Sequence, residues 1–516
     1  MATGMATPHK DRLSALDASF LAQEREASHM HVGGLAILEG KPPRYEDLLE
    51  HVAARLQLVP RYRQKLAESP LETGRPFWID DPSFNLNYHI RHTALPHPGS
   101  EEQLRLLAGR VFSQRLDRSK PLWELWLVQG LEAEDGGEGE RFAVISKSHH
   151  AMVDGVAGVD IATVLFDLEP VPARGPEPEN DWTPHPEPSP VELVVQNAVD
   201  AARRPLSLAG EATRALTRPR RTLTEAWEAV EGVAEVAWAG LTPAPDTPLN
   251  AQIGPHRRLV WVRARLSDFK RVKDALGGTV NDVVLTVVTG ALRRWLQGRG
   301  VRTEGLELRA LVPVSIRAED ERGKLGNRIA AMRGPLPVYA DDPVERLAIV
   351  REAMKDLKDS KQAHGAEVLT ALESFAPPTL LAQASRLNFS TRLFNLIVTN
   401  VPGPQLPLYL LGHELREIVP IAFLPEDHAL AIAIMSYNGR MDFGLLGDYD
   451  AMSDLGDFAM LLEASLGELL AAAQPHDRSG HADLYARDRG NGTRGGWHPR
   501  SPERSRGGAA RTTRRG

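Results

Sequence analysis

The chain has 516 residues and no cysteine. That excludes disulfides, thiolate nucleophiles, cysteine-ligated zinc and iron–sulfur clusters together. A net charge of -7, with 42% apolar and 25% charged residues, fits a globular enzyme and argues against a nucleic-acid partner.

In chain order, Met1–Arg12 carries no apolar run suited to a signal peptide, and nowhere do the ~18 consecutive apolar residues of a membrane-spanning helix occur. The expectation is a cytoplasmic protein that touches membranes without crossing them. Leu35–Leu38 and Phe142–Ser146 are apolar runs of strand length, and Glu101–Leu116 between them has helical spacing. Val159–Phe166 is a further helical run. Residues 169–190 are dense in Pro and Glu and read as a linker. Amphipathic segments near 190–214 and 221–240 flank a basic stretch and read as helices that strap two domains together or lie on a lipid interface. A second Pro-rich break lies at 242–249.

Beyond it, Asn281–Trp295 and Pro343–Lys358 have helical spacing, and Leu306–Pro313, Leu396–Asn400 and Ala429–Ser436 read as strands. Residues 475–516 hold ten Arg, no Lys, three Asp and one Glu, with almost no aliphatic side chains. This basic tail is expected to be disordered. The chain therefore divides into an N-terminal domain (1–170), a Pro-rich and helical linker (171–249), a C-terminal domain (250–474) and the tail (475–516). Strands interleaved with helices predict an α/β architecture.

Elimination narrows the chemistry. There is no G-x-S-x-G, no phosphate-loop motif and no H-E-x-x-H. The one G-x-G-x-x-G, Gly490 to Gly495, lies in the tail with no strand before it. Asp442-Phe443-Gly444 spells a kinase triplet, but no H-R-D precedes it. His29 with His31, and His89 with His92, lack a third ligand at a sensible spacing, so no metal is predicted.

One cluster survives: His149-His150-Ala151-Met152-Val153-Asp154-Gly155, where an apolar strand runs out into a loop. Adjacent strand residues point to opposite faces, so only one of the two imidazoles faces a given cavity. An imidazole there suits a general base near neutral pH. Spacing alone equally allows two packing histidines in a sharp turn.

The H-H-x-x-x-D-G pattern resembles the coenzyme A-dependent acyltransferase superfamily. Further segments resemble one branch, the bacterial wax ester synthase/acyl-CoA:diacylglycerol acyltransferase family. They are Leu13-Ser14-Ala15-Leu16-Asp17, Met30-His31-Val32-Gly33-Gly34, Pro121-Leu122-Trp123-Glu124 and Thr279-Val280-Asn281-Asp282-Val283-Val284-Leu285. Pro313–Arg317, Gly326–Arg328, Thr399-Asn400-Val401-Pro402-Gly403-Pro404 and Ser436–Gly439 continue the likeness. The long acidic loop Glu132–Glu140 and Glu426-Asp427-His428 depart from it.

The resemblance implies two chloramphenicol acetyltransferase-like α/β domains around a central channel, joined by the helical linker. It implies transfer of a long-chain acyl group from acyl-CoA to a fatty alcohol or diacylglycerol, through a ternary complex and without a cofactor. His150 is then the base, and His149, Asp154 and Gly155 shape the motif, with Arg317 a candidate partner for Asp154. Asn281 and Asp282 lie near the channel; Asn281 and a backbone N–H near the motif are candidate oxyanion donors, and Asn281 also suits a helix N-cap. Pro121, Leu122, Trp123, Thr399 and Asn400 line it, although Trp123 equally suits core packing. Arg257, Arg258, Lys270, Arg271 and Lys273 are candidates for the coenzyme A phosphates, or form a solvated helix face. Such substrates imply peripheral contact with the inner membrane face or lipid inclusions. Two other readings remain open: a condensation-type transferase using a carrier-bound donor, and a non-catalytic lipid-droplet-binding protein.

Overall fold

The computed structural model describes residues 10–68, 75–133, 139–152, 164–171, 182–195, 197, 199, 243–315, 329–359, 390–391 and 393–474. In the N-terminal half the strands are β1 (Lys10–Arg12), β2 (His31–Glu39), β3 (Gln64–Ala67), β4 (Phe77–Asp80), β5 (Ile90–Ala94), β6 (Trp123–Leu131) and β7 (Arg141–His149). The helices are α1 (Ala15–Gln23), α2 (Tyr45–Arg55), α3 (Leu86–His89) and α4 (Glu101–Ser113). The C-terminal half supplies β8 (Arg257–Arg265), α5 (Leu266–Leu276), α6 (Val280–Gly298), β9 (Leu308–Ser315), β10 (Ile329–Leu336) and α7 (Pro343–Asp359). It continues through β11 (Leu396–Pro402), β12 (Tyr409–Leu410), β13 (His413–Ile421), β14 (Leu430–Tyr437), β15 (Arg440–Asp448) and α8 (Leu455–Ala472). All the strand and helix runs expected beyond residue 250 are found.

Two six-stranded sheets carry the fold, in the orders β12-β13-β2-β7-β6-β5 and β10-β9-β11-β14-β15-β8, beside a small β1-β4-β3 sheet. The first sheet is composite. β13, from the C-terminal half, pairs antiparallel with β2, placing Val419 opposite Leu35 and Ile421 opposite Gly33. Both sheets belong to one compact unit, Met1–Ala473.

The pleat sorts each strand between two cores. Leu35 and Ile37 of β2, with Ala143 and Ile145 of β7, join a cluster that also takes Trp261, Ile397 and Ala431 from the second sheet. Ala36 and Leu38 turn the other way, toward Leu48 and Val52 of α2. The second sheet's outer core is covered by α5, α6, α7 and α8, and Val283 to Leu292 of α6 is buried throughout. Among the described residues no single helix is long and apolar enough to cross a membrane.

Candidate active site

The tandem histidines sit where β7 breaks. β2 pairs with β7 up to His31 opposite His149. The His149 amide donates to the Leu122 carbonyl and the His150 amide to the Met30 carbonyl, each at 2.9 Å. His150–Met152 then turns as a 3-10 helix. Met30 holds a left-handed φ of 51°. That is strain in a bulky residue, kept where its carbonyl fixes the turn.

The two rings part as the pleat predicts. His149 is 1% exposed and its Nδ1 accepts from the Ala151 amide at 3.1 Å. His150 is half-buried. Its ring stacks on Phe20 of α1 at 3.9 Å and meets the edge of Phe423 at 5.4 Å. Phe423 follows β13, so both halves of the chain build this slot, and the Ser28 hydroxyl pins the neighbouring Leu424 carbonyl at 2.8 Å. Burial pushes His150 down to about 4, opposed by its own backbone carbonyl, and His149 down to about 3. His150 is therefore neutral at pH 7, the state in which an imidazole can take a proton.

The Pro121-Leu122-Trp123 segment anchors this turn through the Leu122 carbonyl. Trp123 is core: its indole N–H donates to the Tyr62 carbonyl at 2.8 Å and its ring stacks on His89 at 4.7 Å. Asn281 is not the N-cap of α6. Thr279 holds that place and forms a capping box with Asp282, whose Oδ2 accepts from the Thr279 amide at 2.8 Å. Asn281 is thereby free to accept from the Asn400 amide group of β11 at 3.3 Å. Thr399 precedes that contact, opposite Ala433 of β14. Asp282 Oδ1 is buried without a partner among the described residues.

The five candidate phosphate cations do not form one group. Arg257 opens β8, whereas Lys270, Arg271 and Lys273 lie on α5, which follows that strand. Arg257 is 5% exposed, faces Asp448 at 3.8 Å and donates to the carbonyls of Gly254, His256 and Ala27. Arg258 lies over the Tyr449 ring at 3.9 Å. Arg271 and Lys273 pair with Asp268 and Asp274. Asp154, Gly155 and Arg317 lie outside the described residues, as does the tail. Among the described residues no cluster of His, Asp or Glu is arranged to hold a metal.

Three residues at the site escaped sequence reading: Phe20, Glu24 and Phe423. Phe20 and Glu24 are one helical turn apart after the Ser14 cap, the signal that was available. Phe423 is brought in by β13 and has no local signal.

The family model for the wax ester synthase/diacylglycerol acyltransferase catalytic domain matches residues 13–284, and that for the WS/DGAT C-terminal domain matches residues 325–470. A probable diacylglycerol O-acyltransferase of Mycobacterium tuberculosis is 32% identical over 468 residues, 90% of this chain and 96% of that protein. The solved wax ester synthase/diacylglycerol acyltransferase from Marinobacter aquaeolei VT8 superposes with a TM-score of 0.62 at 26% identity, covering 90% of this chain and 99% of that one. A starter condensation domain of rhizomide synthetase, 14% identical with a TM-score of 0.53, covers 90% of this chain and 96% of its own and shares the fold.

Proposed function

The chain belongs to the wax ester synthase/diacylglycerol acyltransferase family, and from that premise we propose that it transfers an acyl group from acyl-CoA to a fatty alcohol or diacylglycerol with His150 as general base. The observation that carries the reading is the neutral, half-buried imidazole of His150 in an aromatic slot built by both halves of the chain. His150 takes the proton of the acceptor hydroxyl as its oxygen attacks the thioester carbonyl. The tetrahedral oxyanion collapses, the C–S bond breaks, and the histidinium returns its proton to the coenzyme A sulfur. The ester and the free thiol balance the step, and the thioester supplies its own activation, so the reading requires no cofactor. Asn281, held by Asn400, is the candidate donor to the oxyanion. Both substrates are lipids, so the site works at a membrane face or a lipid inclusion.

The test supplies palmitoyl-CoA with hexadecanol or with dipalmitoylglycerol and separates the lipid products. Wax ester or triacylglycerol formed in step with free coenzyme A is expected. Transfer from a phosphopantetheine-loaded carrier protein but not from acyl-CoA, or droplet binding without thioester loss, overturns the reading.

A further inference from the structure

We infer that Glu24 is a positioning residue for the transfer reaction, acting on His150 through His149; the inference rests on the function proposed above. Glu24 ends α1, and its amide closes on the Phe20 carbonyl at 3.2 Å. Phe20 and Glu24 therefore share one face, a turn apart. Phe20 lies against the His150 ring. The Glu24 carboxylate, 1% exposed, lies 3.9 Å from His149 Nε2. One turn of one helix thus addresses both imidazoles.

The charges around Glu24 show which group it serves. On its outer side Arg118 Nε donates to Oε2 at 2.7 Å and Arg115 stands at 3.5 Å. Arg118 also donates to the Leu21 carbonyl at 2.7 Å, so the carboxylate is fixed to its own helix. On its inner side two imidazoles face it at 3.9 Å, His31 and His149. His31 Nε2 already accepts from the Leu116 amide at 3.4 Å, so that atom carries a lone pair and has no proton to offer. His149 is the reverse case. Its Nδ1 accepts from Ala151, so the neutral ring carries its proton on Nε2, and Nε2 is buried with no other partner among the described residues. A contraction of roughly 1 Å turns that approach into a hydrogen bond to Glu24. Catalytic hydrogen bonds are often long before substrate binds and tighten in the complex. With Nδ1 and Nε2 both engaged, the His149 ring cannot rotate, and the next residue, His150, keeps its heading.

The alternative is that Glu24 only neutralises Arg115 and Arg118. A double-variant cycle separates the two, because side chains acting through one another are not additive. The cycle compares wild type, Glu24→Gln, His149→Ala and the double variant for kcat, KM for palmitoyl-CoA and Tm. Glu24→Gln is expected to lower kcat by roughly 10- to 100-fold, the usual scale for residues that orient a reacting ligand. KM stays within about twofold, and the loss disappears in the His149→Ala background. An unchanged kcat in Glu24→Gln, or the same fold-loss in both backgrounds, overturns the inference. Should Glu24→Gln fail to fold, the cycle runs with Glu24→Asp, which keeps the negative charge among the arginines and draws the carboxylate back by one methylene. A wild-type protein that releases no coenzyme A with any acceptor refutes the proposed function and this inference with it. Wild-type turnover with additive variants refutes only the role of Glu24.

Discussion

His150 lies between a Phe from α1 and a Phe from the loop after β13, and no carboxylate among the described residues touches its ring. Desolvation disfavours the imidazolium, so the base is weak but fully available at pH 7. A lowered pKa keeps the ring neutral down to about 4, and protonation removes activity only below that. The acid limb of kcat/KM, which reports the free enzyme, is expected below pH 5. A midpoint near the ordinary histidine value of ~6.5 contradicts a buried His150 as base. The tandem motif was legible because its residues adjoin and follow a strand. Its surroundings were not. Phe423 lies 273 positions from His150, and no local pattern announces a contact made by strand pairing.

At the scale of elements, β2 carries two adjacent glycines with unequal duties. A Cβ at Gly33 collides with the Ser146 carbonyl of β7, whereas one at Gly34 meets its nearest neighbour, the Val419 carbonyl, at 3.4 Å. Gly33→Ala is expected to break the β2–β7 register that sets His31 opposite His149, losing more than ~2 kcal/mol of stability, while Gly34→Ala costs under ~1 kcal/mol. Equal Tm values for the two variants count against this register as the support of the site. Apolar runs made β7, β14 and the first half of β11 readable, since both faces of those stretches are largely buried. β13 was missed because its first half, His413-Glu414-Leu415-Arg416-Glu417, is mostly polar and its apolar half, Ile418–Ile421, is interrupted by Pro420, which weakens a strand signal. The capping box shows how close sequence reasoning came at α6. Asn281 is a sound N-cap by type, but Thr279 with Asp282 three residues on satisfies two amides at once, and that pair wins.

Across the whole molecule, the two sheets are joined by charge as well as by their shared core. Arg263 of β8 donates to Glu101 of α4 at 2.6 Å and to Glu417 of β13 at 2.7 Å. Arg440 faces Glu417 at 3.5 Å, and beside them burial and the Glu417 charge raise Asp442 to about 7. The Asp442-Phe443-Gly444 triplet is thereby explained without metal chemistry. Asp442 sits in this charged seam, Phe443 packs on Phe269, and Gly444 leaves room for the Pro420 carbonyl of the other sheet. Arg263→Met removes the nearer partner of buried Glu417 and leaves only Arg440, and is expected to cost ~3 kcal/mol, the low end for breaking a buried pair. An unchanged Tm would show that the seam carries no stability. The linker helices expected between 190 and 240, and the tail from 475, lie largely or wholly outside the described residues, and the composition breaks mark them in the sequence alone. Those breaks gave no hint that residues 409–421 return to the first sheet, because strand exchange leaves no mark on composition.

The most direct measurement is thiol release from palmitoyl-CoA by purified wild type and His150→Ala, with and without hexadecanol or dipalmitoylglycerol. The account predicts acceptor-dependent release by wild type and a loss of roughly 10²- to 10⁴-fold in a variant that keeps its Tm, the scale of one general base. Undiminished release by folded His150→Ala would contradict it.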